Sequence, residues 1–129
     1  MPLFVDNIEE LTLGNTNFRK VLSTNEHSQL VLMSLKPMED IGMEVHENVD
    51  QFFRIDAGEG KVIANGQEFN ITDGYAIVIP AGTEHNVINT SETEDLKLYT
   101  IYSPANHPDG TIHATKAEAE EYEKAKHQD

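Results

Sequence analysis

The amino-acid sequence predicts an all-β sandwich or barrel that ends in one short helix. Three observations carry this. Short runs rich in branched and aromatic side chains recur along the chain, and turn-forming residues separate them. An Asn-Gly pair stands between two such runs, a strong hairpin signal. After Tyr102 the pattern changes, and an irregular stretch leads into a polar, helix-forming run.

Residues 1–15 are mixed and acidic, and Ile8 to Leu13 is expected to form a short edge element. Phe18 to Leu22 and Gln29 to Leu35 read as strands around the turn Ser23-Thr24-Asn25-Glu26, and Lys36-Pro37 ends the second. Met43 to Glu47 reads as a short strand. Gln51 to Ala57 is the next strand, turned by Gly58-Glu59-Gly60. Lys61 to Ala64 and Gln67 to Ile71 flank Asn65-Gly66, which predicts a type I′ turn. Tyr75 to Ile79 and His85 to Asn89 flank Pro80-Ala81-Gly82-Thr83, and Leu96 to Tyr102 is the last long strand. Ser103 to Gly110 is an irregular loop with two prolines. Thr115 is placed to cap a helix over Lys116 to Lys126, with Glu118 in the capping-box position. Its thin apolar side, Ala117, Ala119, Tyr122 and Ala125, suits loose packing on the barrel or on a partner.

At 129 residues the chain reads as one domain over 1–129, with a barrel core at about 16–103 and a C-terminal loop and helix at 104–129. It has no cysteine, which excludes disulfides, thiolate metal sites and a cysteine nucleophile. A formal net charge of −14 repels phosphate backbones and argues against a nucleic-acid partner. No apolar run approaches a membrane span, and the start Met-Pro-Leu-Phe-Val-Asp is unlike a signal peptide. A cytoplasmic protein with no membrane partner is therefore expected. There is neither a phosphate-binding glycine loop nor a serine nucleophile elbow.

Two segments fit together as one metal site. The first is Met38-x5-Glu44-x-His46-x4-Gln51-x6-Gly58; the second is Asp73-Gly74-x3-Val78-x-Pro80-x-Gly82-x2-His85-x3-Asn89. Side chains two apart on a strand share a face, so Glu44 and His46 point the same way. The Pro-x-Gly turn is expected to aim His85 inward. Two imidazoles, a carboxylate and an amide form a donor set suited to a divalent cation.

The spacing resembles the two signature motifs of the cupin superfamily, G-x5-H-x-H-x3,4-E-x6-G and G-D-x3-P-x-G-x2-H-x3-N. The resemblance covers roughly residues 30 to 103. His46, Gly58, Pro80, Gly82, His85 and Asn89 match, whereas Glu44 stands for the first His, Gln51 for the Glu and Met38 for the first Gly. Asp73-Gly74 shifts the usual Gly-Asp. The resemblance implies a cupin-type double-stranded β-helix, a jelly-roll barrel. It also implies one divalent metal ion, of the zinc, manganese, iron or nickel kind, held by His46, Gln51 and His85. Glu44 is a fourth ligand, an adjacent general base, or a side chain facing water. Gln51 is otherwise a buried hydrogen-bonding amide, and Asn48 and Asp50 are polar alternatives that a register slip would bring in.

The other histidines read as weaker candidates. His27 lies in a turn and His127 in the charged tail, while His107 and His113 flank the irregular loop, where they could close over the barrel mouth but are expected to be solvated. Arg54 should face away from Gln51, and Phe53, Tyr99, Tyr102 and Met33 read as core residues, one or two of which could line a pocket. By resemblance, Lewis-acid chemistry on a small oxygen-rich metabolite is implied, akin to isomerisation of a sugar or keto acid. A metal-dependent dioxygenase and a non-catalytic small-molecule binder are the alternatives. The partners implied are a small-molecule ligand and, on analogy with cupins, a second copy of the chain in a homodimer.

Overall fold

In the computed structural model, which describes residues 3–126, alternating apolar side chains build two antiparallel sheets around one core. The strands are β1 (Arg19–Thr24), β2 (Gln29–Leu35), β3 (Asp50–Ala57), β4 (Glu59–Ala64), β5 (Gln67–Thr72), β6 (Ala76–Ile79), β7 (His85–Asn89), β8 (Leu96–Ser103) and β9 (Ile112–His113). The larger sheet runs β6-β3-β8-β2-β1-β9 and the smaller β5-β4-β7. Val31, Met33, Phe53, Ile55 and Leu98 of the first meet Val62, Ile71 and Val87 of the second. Each such side chain taken from water contributes roughly 1.5–3 kcal/mol. The architecture is the jelly-roll that the sequence predicts, closed by a short C-terminal helix.

Several local readings hold at the level of dihedral angles. Asn65 and Gly66 have φ of 50° and 79°, the left-handed pair that a type I′ turn between β4 and β5 requires. Gly58 turns β3 into β4 at φ 96°, and a Cβ there would stand 2.5 Å from the carbonyl oxygen of Asp95. That close approach gives the motif glycine its physical reason.

Other expectations are corrected. Ile8 to Leu13 is not an edge element but most of a helix, α1 (Ile8–Gly14). Asn7 caps it by accepting from the Glu10 amide, and Ile8, Leu11 and Thr12 follow helical spacing, Thr12 being buried. Met43 to Glu47 is not a regular strand. The segment touches β7 through isolated bridges, Asp40 opposite Ile88 and Glu44 opposite His85. Tyr99 is half-buried rather than core, because Leu98, Thr100 and Tyr102 take the inward positions of β8. β9, which the sequence reading omits, pairs with Arg19 and Lys20.

The C-terminal helix α2 (Lys116–Lys126) has the expected bounds. Thr115 Oγ1 accepts from the Glu118 amide, and the Glu118 carboxylate accepts from Ala114 N. Ala119 is buried, the Tyr122 ring lies 5.4 Å from that of His113, and Lys116 pairs with Asp40. The helix therefore rests on the barrel beside the segment that carries Glu44. Among the described residues no helix is long and apolar enough to cross a membrane.

Candidate metal centre

Glu44 and His85 face each other across a hydrogen-bonded pair: Glu44 N donates to His85 O at 2.8 Å and His85 N to Glu44 O at 2.9 Å. Directly opposed residues project from the same face, so the carboxylate and the imidazole emerge together. His46, two residues on, joins them, and Gly82 N in the turn before β7 donates to His46 O at 2.9 Å, tying the two motifs together. One donor atom from each of Glu44, His46 and His85 lies within 4.8 Å of the others.

The protonation of His85 follows from its contacts. Its Nδ1 lies 2.9 Å from the carbonyl oxygen of Thr83, which can only accept, so Nδ1 carries the proton. Nε2 is left with a lone pair, the arrangement that metal-ligating histidines use. His46 Nε2 lies 2.8 Å from Glu44 Oε2. Two donors about 2.1 Å from one ion stand about 3 Å apart when adjacent in an octahedral set, so this pair already has the separation of neighbouring ligands.

Gln51 comes from the opposite sheet. It is 3% exposed, and its Nε2 donates to Thr100 Oγ1 at 3.0 Å. Its Oε1 is buried without a partner among the described residues, which leaves a carbonyl-type donor unused. Its neighbours touch the histidines: the ring of Phe53, two residues along β3, is 6.2 Å from that of His85, and the ring of Tyr102, its partner on β8, is 5.9 Å from that of His46. An orphaned amide oxygen, a free imidazole nitrogen and a carboxylate form a nitrogen–oxygen set that fits a divalent first-row metal.

A cavity of about 580 Å³ lies against this centre. Glu44 and His46 line it, together with Arg19, His107 and Lys116. His85 and Gln51 sit behind its wall, each 3% exposed. The volume suits a small metabolite.

His107 is only partly exposed. Gln29, itself buried, donates to the His107 carbonyl at 2.7 Å and accepts from the Asn106 and His107 amides. His107 Nε2 lies 3.2 Å from the Tyr102 hydroxyl. Burial, with the nearby Arg19 and His46, pushes the His107 pKa down to about 3, so the imidazole is neutral at ordinary pH. Burial also raises the Tyr102 phenol, opposed by Arg19. His113 is buried as well, and burial followed by Arg19 lowers its pKa. The expectation of solvated histidines fails at both positions because the loop folds back and β9 brings its residues under α2.

The remaining candidates stand apart. Asn48 is exposed, and Asp50 accepts from Ala81 N at 2.9 Å. His27 is exposed beside Glu26, and Arg54 contacts Asp56, away from the site. His127 lies outside the described residues. Sequence reasoning missed Arg19, a cation at the inward position of β1 in phase with Val21; a charged residue on an alternating apolar face was the available signal.

The cupin-domain family model matches residues 31–102. This chain belongs to the cupin superfamily. This cupin is 53% identical over 123 residues to YrkC of Bacillus subtilis (strain 168), an uncharacterized protein, covering 90% of the chain and 65% of YrkC. It is 50% identical over 113 residues to an uncharacterized protein of Acanthamoeba polyphaga mimivirus, covering 85% of the chain and 71% of that protein. The crystal structure of BH2720 from Bacillus halodurans superposes with a TM-score of 0.89 at 48% identity, over 92% of this chain and 93% of that one.

Proposed function

We propose that this cupin binds one divalent metal ion and acts on a small oxygen-rich metabolite, in the manner of a sugar or keto-acid isomerase. The observation that carries the reading is the convergence of Glu44, His46 and His85 beside a metabolite-sized cavity. His46 Nε2, His85 Nε2, Gln51 Oε1 and a Glu44 oxygen would hold the ion. When bound, it supplies Lewis acidity, polarising a carbonyl or hydroxyl oxygen and acidifying the adjacent C–H or O–H. Glu44 is the charged member of the set, and its carboxylate would take the released proton. His107, neutral and held at its backbone by Gln29, offers a hydrogen-bonding edge to the cavity, which α2 also lines through Lys116, Ala119, Glu120 and Glu123.

A second reading, a binder without turnover, is favoured by the bond between His46 and Glu44, which satisfies both side chains without an ion. Protein purified without an affinity tag and reconstituted with zinc, manganese, iron or nickel separates the two. One equivalent of metal, together with deuterium exchange from solvent into a sugar or keto acid, is expected for the enzyme. Stoichiometric metal with no exchange across such a panel favours the binder. Full metal in the His46→Ala/His85→Ala protein would sink the site itself.

A further inference from the structure

Arg19 opens β1 on the face that Val21 turns to the core, and it is 4% exposed. Its Nε has no hydrogen-bond partner, and among the described residues no carboxylate forms an ion pair with it. Acids are not scarce in a chain with 23 of them against nine lysines and arginines. The guanidinium lies over the Phe18 ring at 5.3 Å and within reach of the Tyr102 hydroxyl, in the wall of the cavity that Glu44 and His46 line. A buried cation without a direct ion-pair partner is costly, and an anion entering the cavity would relieve that cost. The planar fork of arginine matches a carboxylate, whose two oxygens accept parallel N–H bonds. Glu44, Glu120 and Glu123 line the cavity against Arg19, Lys116 and Lys126, so its charges balance, and a monoanionic carboxylate disturbs that balance less than a dianionic phosphate.

We propose that Arg19 is the anchor for a ligand carboxylate, so that the cavity takes a small hydroxy or keto acid with its carboxylate at Arg19 and its hydroxyl or carbonyl toward Glu44 and His46. The orientation of the second end rests on the metal-centre reading; the role of Arg19 does not.

The test is isothermal titration of the full chain, metal-free and metal-loaded, with glycolate, lactate, pyruvate and malonate against lactamide, malonamide and inorganic phosphate. At least one acid should bind wild type more than about tenfold tighter than its amide, the scale of a charged hydrogen bond. Arg19→Gln should erase that preference while leaving bound metal unchanged, and Arg19→Lys should keep part of it. If the metal centre is misassigned, metal-free protein still shows the preference dependent on Arg19, which separates the two failures. No preference for any acid in wild type, a preference that survives Arg19→Gln, or tighter binding of phosphate would each overturn the proposal. Should Arg19→Gln not fold, undiminished acid affinity in Arg19→Lys overturns it equally.

Discussion

The two motifs build their halves of the centre in different ways. His85 stands in a regular strand, β7, between β4 on one side and the Glu44 segment on the other, with Nδ1 held by a backbone carbonyl. Glu44 and His46 stand on a segment that makes only isolated bridges, and their side chains hold each other. One half is fixed by the sheet; the other is fixed by contacts across to it. The comparison teaches that His85 would set where an ion sits, while Glu44 and His46 would set how it is held.

The largest expected effect breaks the fixed half. His85→Ala should lower metal affinity about a thousandfold by titration with a competing chelator, well beyond the roughly 10–100-fold seen when an outer partner is lost. His46→Ala should cost less, since Glu44 remains opposite His85. A greater loss in His46→Ala would reverse the ranking.

Acid stability probes the part of the cavity wall that His107 forms. His107 is neutral in the fold down to about pH 3, whereas in the unfolded chain it titrates near its ordinary value of 6.5. The unfolded state therefore gains a proton first, and stability falls as pH drops from about 6.5 to about 3, by roughly 2–4 kcal/mol at the acid end. His107→Asn should flatten that limb in urea unfolding midpoints measured at pH 7, 5 and 4. An unchanged limb would mean that His107 is open to water.

Glu44→Gln sharpens the comparison. Placed at ligand separation from His46, Glu44 should contribute about ten- to a hundredfold in metal affinity, and Glu44→His should restore binding with an altered metal preference. Metal retained with turnover lost would make it a base, and no change in either would place it outside the site. The smallest effect is expected at Thr100, whose hydroxyl orients the Gln51 amide. Thr100→Val should weaken metal binding about tenfold or less without a loss of strand signal in circular dichroism.

What could be read in the sequence follows this same division. Gln29–Leu35, His85–Asn89 and Lys116–Lys126 have the bounds that their local chemistry predicts. Branched residues, a turn before the strand and a capping residue act within a few positions. The trio Glu44, His46 and His85 was legible as well, because motif spacing encodes which faces meet. The irregular form of the Glu44 segment was not, since two bridges depend on where β7 lies rather than on residues 43–47 themselves. α1 was missed because Ile8 to Leu13 is too short for its period to decide. The burial of His107 and Arg19 comes from Gln29 and β9, contacts made across long stretches of chain.

Gln29 divides its amide between the 103–110 loop and Thr24 Oγ1. Its oxygen accepts from two backbone N–H groups of the loop, and its nitrogen donates to the His107 carbonyl and to Thr24 Oγ1, all from a side chain that is 1% exposed. That makes the loop a masonry course rather than a curtain: its side of the cavity has a set width. The α2 side is fastened differently, by the partly exposed Lys116–Asp40 pair, a kind of contact worth up to about 1 kcal/mol. The two walls are thus held by different means, the histidine wall by bonds to a buried amide and the helix wall by the packing of Ala119 and Tyr122 with one partly exposed ion pair.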